Sequence, residues 1–374
     1  MILKPDCKYF PGDRPCDFNK FEGIMCDNCN HYNPINFKIL IIKLDAIGDV
    51  LRTTCILPAL RKKYPDAHIT WLTKSNSVDL FKHNPFVDRV LEFEDSKIIP
   101  LLKVEYFDLI IHPDASPQSA APASYSNSEN KKGFILNKKG KVIPANKDAE
   151  EWFEMGAFDQ YKKKNKKSYQ QILFEICGLE FKGEEIQLFL SQEEIELKEN
   201  IIRKLSLSDS DLIIGLNTGA SRRWQYKQWR LDGYIDLVRE IRKNFKVEIL
   251  LFGGPEEIER NEILLQHFPD LINTGTNNTL RQFFAKLDLA DIIVTGDTMA
   301  LHAAAALKKD VVCLFGPTSY NEIYDYGRIA KVYPDMDCLV CYKPECDFDP
   351  TCMDNITVDM VYTEIEKIIK RKLK

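Results

Sequence analysis

The chain lacks a long hydrophobic run and an excess of positive charge, and each absence excludes a class of protein. No segment of its 374 residues approaches the roughly 20 consecutive apolar residues that a membrane-spanning helix needs. The formal net charge is −5, whereas a general nucleic-acid-binding protein normally presents a basic face. Asp6, Lys8, Asp13 and Arg14 interrupt the N-terminus, which therefore has no apolar signal core. We expect a cytoplasmic protein that does not bind nucleic acid.

Two nucleotide-binding signatures are also missing. The chain has no Walker A sequence, so hydrolysis of ATP at a P-loop is not expected. No G-x-G-x-x-G follows the first predicted strand, which weakens the case for a dehydrogenase. The chemistry of the chain must therefore be sought in other loops.

Strands alternate with helices along most of the chain. Apolar, β-branched segments at 38–43, 68–73, 88–93 and 107–112 predict strands, and a second such series begins at residue 211. This alternation predicts two parallel, doubly wound α/β sheets. The segment 113–130 is rich in Pro, Ala and Ser and is predicted to be a loop. The resulting domain prediction is a Cys-rich knuckle at 1–36, α/β domains at 37–200 and 201–335, and a Cys-rich segment with a final helix at 336–374.

Four loops follow strands of the second series and carry groups that suit an anion. They lie at 217–221, 253–257, 296–298 and 316–318. Open α/β sheets bind ligands at the carboxyl ends of their strands, so these loops should converge. Glycine and small hydroxyl residues let backbone N–H groups approach phosphate. Gly and Asp are also ordinary turn residues, but four such loops in succession favour a nucleotide diphosphate site.

The residue types at these strand ends suggest a role for each side chain. Cations would neutralise phosphate, carboxylates would accept hydrogen bonds from ribose, and the start of the helix after Gly296 favours phosphate. Asp49 and His302 each have a structural interpretation beside the functional one. Asp49 could be a helix N-cap or a base, and His302 could be packed in the core or line a site. The candidate donor-binding residues are Thr218, Gly219, Arg222, Arg223, Lys227, Glu257, Asp297, Thr298, Met299 and His302.

The chain has eleven cysteines, which in a cytoplasmic protein point to metal ligands or free thiols before disulfides. Eight of them form two groups of four, the number that a closed zinc or iron site uses. Reduced thiols, or one mixed site drawn from both ends of the chain, are the alternatives. The groups are Cys7, Cys16, Cys26 and Cys29, and Cys338, Cys341, Cys346 and Cys352. The remaining cysteines, Cys55, Cys177 and Cys313, stand in apolar segments and are predicted to be core.

Together these motifs resemble glycosyltransferase family 9, the bacterial heptosyltransferases of lipopolysaccharide core assembly. The resemblance covers most of residues 37–335. It rests on the opening strand with Gly48-Asp49-Val-Leu-Arg-Thr-Thr and Leu57-Pro-Ala-Leu-Arg, on Lys227-Gln-Trp, and on Thr295-Gly-Asp-Thr-Met-Ala-Leu-His through Phe315-Gly-Pro-Thr.

The resemblance implies a GT-B fold, with two Rossmann-like domains facing a cleft, and an ADP-heptose-type donor held by the C-terminal domain. It implies that Asp49 is the catalytic base of an inverting transfer, that Lys227 and Thr218 contact the diphosphate in place of a catalytic metal, and that Glu257 meets the ribose. Asp297, Thr298 and His302 would line the donor site. Met299 departs from the family's usual glycine at its position.

Three classes of function stay open, and the first two differ in the acceptor. A lipopolysaccharide core or similar glycan is the first, with peripheral contact at the inner membrane. The later cysteine group is similar to one in autotransporter heptosyltransferases, where it suggests iron bound by four cysteines, so a protein hydroxyl acceptor and a homo-oligomer form the second. The third is a non-catalytic module that binds a nucleotide sugar or senses a metal.

Overall fold

The computed structural model describes residues 1–208, 212–220 and 222–373, without the side chains of Arg222 and Arg223. The chain forms two compact units, each built on a six-stranded sheet. The first unit contains residues 1–44, 56–78 and 85–149, and the second contains residues 45–55, 79–84 and 150 onward. The domain boundary predicted between residues 200 and 201 stays a prediction. The compact units are divided differently, since residues 45–55 and 150–200 belong to the second unit.

The first sheet has the order β3-β2-β1-β4-β5-β6. Its pairs are parallel except for the last, between β5 and β6. The central strand β1 is a run of apolar residues that is buried from its second position onward, as expected for a parallel strand covered on both faces. The strands are β1 (Lys38–Ile42), β2 (His68–Thr73), β3 (Arg89–Glu92), β4 (Leu109–His112), β5 (Lys131–Leu136) and β6 (Val142–Pro144).

The second sheet repeats the strand order of the first. Its order is β12-β11-β10-β7-β8-β9, all its pairs are parallel, and its central neighbours are β7 and β10. In each sheet the strand order therefore reverses beside the central strand, where doubly wound folds bind ligands. The strands are β7 (Ile213–Asn217), β8 (Glu248–Phe252), β9 (Ile272–Asn273), β10 (Ile292–Gly296), β11 (Asp310–Leu314) and β12 (Ile329–Val332).

The helices flank these sheets and leave the strand ends to short loops. They are α1 (Asp17–Glu22), α2 (Ile47–Thr53), α3 (Ile56–Lys63), α4 (Ile98–Val104), α5 (Pro117–Tyr125), α6 (Glu150–Ala157), α7 (Asp159–Lys164), α8 (Tyr169–Cys177), α9 (Gln192–Leu205), α10 (Leu231–Asn244), α11 (Ile258–His267), α12 (Leu280–Leu287), α13 (Met299–Ala306) and α14 (Val358–Lys372). Helix α5 corrects the loop predicted for 113–130. In the described parts of the chain, no helix is both long enough and apolar enough to cross a bilayer.

The two ends of the chain differ in how they pack. None of residues 1–38 is buried, so the N-terminal segment has no hydrophobic core of its own. The C-terminal segment contributes Met353, Ile356 and the apolar face of α14 to the core of the second unit. The indole N–H of Trp229 donates to the carbonyl oxygen of Ile356 at 2.9 Å. The C-terminal segment is therefore an integral layer of that unit.

Candidate active site

An ion pair lies at the end of β10, beside the central strand of the second sheet. Lys227 Nζ is 2.8 Å from Asp297 Oδ2 and also donates to the Asp297 carbonyl oxygen at 3.2 Å. The Thr318 hydroxyl donates to the same carboxylate at 2.7 Å. Burial alone would raise the pKa of Asp297, but the Lys227 charge and hydrogen bonds hold that pKa below its ordinary value. Two of the predicted strand-end segments, 296–298 and 316–318, therefore converge here with Lys227.

Helix α13 begins directly after this ion pair. Thr298 is its N-cap, and the Thr298 hydroxyl accepts from the N–H of Ala300 at 3.3 Å. The helix start carries a partial positive charge, which favours an anion. His302 lies one turn into the helix and is 6% exposed. Burial, together with the nearby charge of Arg52, lowers the pKa of His302 to about 4, although Asp297 and Asp49 oppose this shift. The imidazole is therefore neutral at pH 7.

Helix α2 packs closely against the start of α13. A Cβ added at Gly48 would lie 2.9 Å from His302 Cδ2 and 3.2 Å from Met299 Cα, so only glycine allows this approach. The next residue, Asp49, lies in the first turn of α2 with its side chain 32% exposed. The structure therefore brings the predicted base and the start of α13 together within one compact unit.

A second group of predicted residues lies at the ends of β7 and β8. Glu257 Oε2 accepts from the N–H of Gly254 at 2.6 Å, and burial raises the pKa of Glu257. A Cβ on Gly219 would lie 1.7 Å from Glu257 Oε1, so the carboxylate occupies space that a side chain at 219 would fill. The Thr218 hydroxyl donates to Asn261 at 3.1 Å. The side chains of Arg222 and Arg223 lie outside the described residues.

Sequence reasoning missed the groups that surround Asp49. Arg52 Nη2 is 2.7 Å from Asp49 Oδ1, and the helical spacing of three residues was a signal for this pair. The guanidinium of Arg52 lies 3.9 Å from the centre of the Tyr169 ring. Glu322 lies close enough for its charge to act on Arg52, and it accepts from the Tyr342 hydroxyl at 2.8 Å. Tyr169, Glu322 and Tyr342 are distant in sequence, so no local pattern could have identified them.

The cysteine groups occupy different surroundings. Cys7, Cys16, Cys26 and Cys29 all line one largely apolar cavity of about 710 Å³ in the N-terminal segment. In the C-terminal group, burial raises the pKa of Cys352 to about 11, and the neighbouring thiols Cys338, Cys341 and Cys346 add to the shift. Both donor sets suit zinc or iron in kind, but within the described residues no three His, Cys, Asp or Glu side chains are spaced to hold an ion. The predicted core positions of Cys55, Cys177 and Cys313 are confirmed.

Two sheets with the same doubly wound order, and charged groups at the strand ends of the second, define a Rossmann-like α/β enzyme of the GT-B class. Residues 102–351 match the family described as glycosyltransferase family 9 (heptosyltransferase). The chain belongs to this family and is a glycosyltransferase.

Sequence relatives agree with this assignment. A putative glycosyltransferase of Haemophilus influenzae is 22% identical over 362 residues, covering 89% of this chain and 97% of that protein. Lipooligosaccharide heptosyltransferase 2 of Campylobacter jejuni is 25% identical over 170 residues, which are 44% of this chain and 54% of that protein. The match thus spans about half of the latter relative's length.

The solved structures show the fold. The family 9 glycosyltransferase of Veillonella parvula has a TM-score of 0.73 at 15% identity, with 90% of this chain and 98% of that one covered. The dodecameric iron-containing heptosyltransferase TibC, in complex with ADP-D-β-D-heptose, has a TM-score of 0.53 at 11% identity and covers 90% of this chain and 76% of its own; the same enzyme is known from enterotoxigenic Escherichia coli.

Proposed function

We propose that this glycosyltransferase moves a heptose from an ADP-heptose-type donor to a hydroxyl group of a lipopolysaccharide core or similar glycan, with inversion at the anomeric carbon. The observation that carries the proposal is the close approach of α2 to α13 at Gly48, together with the charges of Asp49 and Asp297, which both act on His302 in α13. A carboxylate base and an anion-binding helix start are the two groups that such a transfer needs.

In the proposed reaction Asp49 accepts the proton of the acceptor hydroxyl. The acceptor oxygen bonds to the anomeric carbon from the face opposite ADP, and the bond from that carbon to the diphosphate oxygen breaks. A positioned base of this kind contributes about 10²–10⁴-fold to the rate. ADP leaves as an anion, and charge stabilisation at the leaving group substitutes for a metal ion.

The groups around the donor divide this stabilisation between them. Lys227, oriented by Asp297, supplies the positive charge, and the start of α13 at Thr298 and Met299 supplies backbone N–H groups. His302 is neutral at pH 7 and adds a hydrogen-bonding group without adding charge. Glu257 is proposed to accept hydrogen bonds from the ribose, next to the backbone of Thr218 and Gly219. Arg222 and Arg223 are proposed to add positive charge near the diphosphate, because they precede Lys227 closely in the sequence.

A protein hydroxyl acceptor is the second candidate. It is favoured by the Cys-rich C-terminal segment, whose backbone bonds to one of the strand-end loops: the N–H of Tyr342 donates to the carbonyl oxygen of Pro317 at 2.9 Å. The solved heptosyltransferase TibC contains iron and is dodecameric, so a homo-oligomer accompanies this alternative. Cytoplasmic location, with peripheral contact at the inner membrane, accompanies the glycan acceptor. Family membership argues against a non-catalytic module.

We further propose that the two cysteine groups hold structural zinc or iron. The N-terminal cysteine group depends more on a metal ion for its stability than the C-terminal group does. None of residues 1–38 is buried, and small segments without a core usually depend on metals or disulfides. A bound ion would supply cross-links between thiolates there and would take no part in the transfer.

One set of preparations tests these proposals. Mass spectrometry of products is carried out with a panel of nucleotide sugars, each offered glycan and protein acceptors, and elemental analysis is carried out on the same protein. We expect transfer from ADP-heptose with an inverted anomeric centre, and zinc or iron in the protein. Asp49→Ala should fold, since this side chain is partly exposed and its ion-pair partner among the described residues, Arg52, lies in the same helix turn; it should lose transfer by about 10²–10⁴-fold. Normal turnover by Asp49→Ala would remove Asp49 from the role of base.

A further inference from the structure

Arg52 makes an unusually direct contact with the proposed base. It lies three residues after Asp49 on α2, and its Nη2 atom is 2.7 Å from Asp49 Oδ1. The Arg52 side chain is 13% exposed, whereas that of Asp49 is 32% exposed. The carboxylate therefore reaches solvent while the cation that holds it is nearly buried.

The ring of Tyr169 fixes the buried end of this pair. The Arg52 guanidinium lies 3.9 Å from the ring centre, within the range of a cation–π contact. Tyr169 is 2% exposed, and its backbone N–H donates to the carbonyl oxygen of Glu322 at 2.9 Å. The ring is thus anchored through its own backbone at the start of α8.

The tyrosine hydroxyl ties this ring back to the helix that carries the base. Thr53 Oγ1 donates to the carbonyl oxygen of Asp49 at 2.6 Å and lies 2.7 Å from the Tyr169 hydroxyl. A threonine hydroxyl has one proton, and Thr53 uses it in the hydrogen bond to the backbone carbonyl oxygen of Asp49. The Tyr169 hydroxyl must therefore be the donor in its hydrogen bond to Thr53. The chain Tyr169 to Thr53 to the Asp49 backbone therefore fixes the main chain of the base while Arg52 fixes its carboxylate.

The charge of Arg52 does not change over accessible pH. Burial lowers its pKa, but Asp49, Tyr169, Glu322 and Asp297 raise it more, and the net pKa lies above the ordinary arginine value. Arg52 Nε is buried without a hydrogen-bond partner among the described residues. The orientation of the guanidinium therefore depends on stacking and on the Asp49 contact.

We propose that Arg52 and Tyr169 are positioning residues that hold the Asp49 carboxylate in the orientation needed to accept the proton of the acceptor hydroxyl. This inference rests on the proposed role of Asp49 as base. A planar guanidinium can bind a carboxylate and stack on a ring at the same time, which a lysine ammonium cannot do in the same way. Misplacement of a catalytic group by about 1 Å can cost about 10²-fold in rate, so a fixed orientation has a large kinetic effect.

The test compares Arg52→Lys, Tyr169→Leu and Tyr169→Phe by steady-state kinetics with ADP-heptose. Arg52→Lys keeps the charge but loses the stack, and Tyr169→Leu removes the ring; each should lower kcat by about 10- to 100-fold, with KM for the donor nearly unchanged. Tyr169→Phe keeps the ring and removes only the hydroxyl, so its loss should be smaller than that of Tyr169→Leu. Added methylguanidinium should restore part of the kcat of Arg52→Ala, which a merely structural role would not produce.

Arg328→Lys is the matched control, since Arg328 also pairs with a carboxylate, Glu185, and lies 4.6 Å from the centre of a tyrosine ring, that of Tyr326. Its kcat should stay at the wild-type value. Wild-type kcat in Arg52→Lys and Tyr169→Leu, with Asp49→Ala inactive, would overturn the positioning role and leave the proposed function intact. An active Asp49→Ala would instead overturn the proposed function itself.

Discussion

Both sheets place a lysine–aspartate ion pair beside their central strands. In the first unit Lys43 follows β1 and Asp114 follows β4, and their side chains are 3% and 1% exposed. In the second unit Asp297 follows β10 and Lys227 lies in the connection after β7. The side chain of Lys227 is 14% exposed and that of Asp297 is 17% exposed. The same strand order therefore carries one fully buried ion pair and one that is partly exposed to solvent.

Burial separates the roles of these two pairs. The Asp114 carboxylate also accepts from the N–H of Leu44 at 3.0 Å, so it links the connection after β4 to the connection after β1. Asp297 is held by Lys227 and Thr318 at the start of α13, where a helix N-terminus adds positive potential. The first pair fits a structural role and the second a ligand-binding role, which predicts opposite consequences when each lysine is removed.

The largest effect is expected from Lys43→Met. It leaves Asp114 as a buried charge without its cation, which typically costs about 3–5 kcal/mol, so the urea midpoint for unfolding of the first unit should fall sharply. A double variant, Lys43→Met with Asp114→Leu, should recover much of this loss because no unpaired charge remains. Equal midpoints for the single variant and the wild type would contradict the structural role.

Lys227→Met should show the reverse pattern. After this change Asp297 keeps the hydrogen bond from the Thr318 hydroxyl and some contact with solvent, so the unfolding free energy should fall by less than in Lys43→Met. Loss of the cation at the leaving group should lower kcat by about 10²–10³-fold. Urea unfolding and donor kinetics on the same preparation measure both quantities. A large loss of stability with unchanged kcat would mean that the two pairs have the same role.

The buried histidine of the second unit sharpens the comparison through pH. The folded pKa of His302 is about 4, below the unfolded value of about 6.5. As pH falls from about 6.5 to about 4, the unfolded chain binds a proton that the folded chain does not, so stability is lost over this window, by up to about 3 kcal/mol. His302→Gln removes this contribution.

The measurement is the unfolding free energy of wild type and His302→Gln at several pH values across that window. The stability advantage of the wild type should shrink as the solution is acidified. His267→Gln, which changes an exposed histidine in the same unit, is the control. A difference between wild type and His302→Gln that stays constant with pH would show that His302 is not buried in its neutral form.

Much of this arrangement could be predicted from local sequence. The apolar runs identified β1, β2, β7, β10 and β11, because buried parallel strands need continuous apolar residues. Helix α5 was predicted to be a loop, since its Pro and Ser content resembles a loop. Ser116 caps it instead, and Pro117 takes the first helical position, where the missing N–H is harmless.

The site could be predicted only as far as short-range patterns reach. The segments around Asp49, Asp297 and His302 follow strand ends, so the strand order alone predicts at which edge of the sheets they lie. The surroundings of Asp49 come from Tyr169 and Glu322, which are more than 100 residues away from it in the sequence and depend on tertiary packing. The same limit applies to the grouping of residues 45–55 with the second unit, because no local pattern records which sheet a helix packs on.

The smallest expected effect tests the approach of α2 to α13. Gly48→Ala places a methyl group 2.9 Å from His302 Cδ2 and 3.2 Å from Met299 Cα. The second of these is a backbone atom, so a helix must shift by a few tenths of an ångström. Such overpacking costs about 1–3 kcal/mol, and Asp49 moves with the helix, so kcat should fall by about 10-fold.

Gly156→Ala is the matched control for this change. Gly156 lies within α6, and a Cβ there would meet nothing within 4 Å, so the substitution should stabilise the protein by about 0.5–1 kcal/mol and leave kcat unchanged. The diagnostic quantity is the difference between the two alanine variants in both thermal stability and kcat. If Gly48→Ala behaves like Gly156→Ala, α2 and α13 are not in close contact at Gly48. The proposed position of Asp49 relative to α13 would then be wrong.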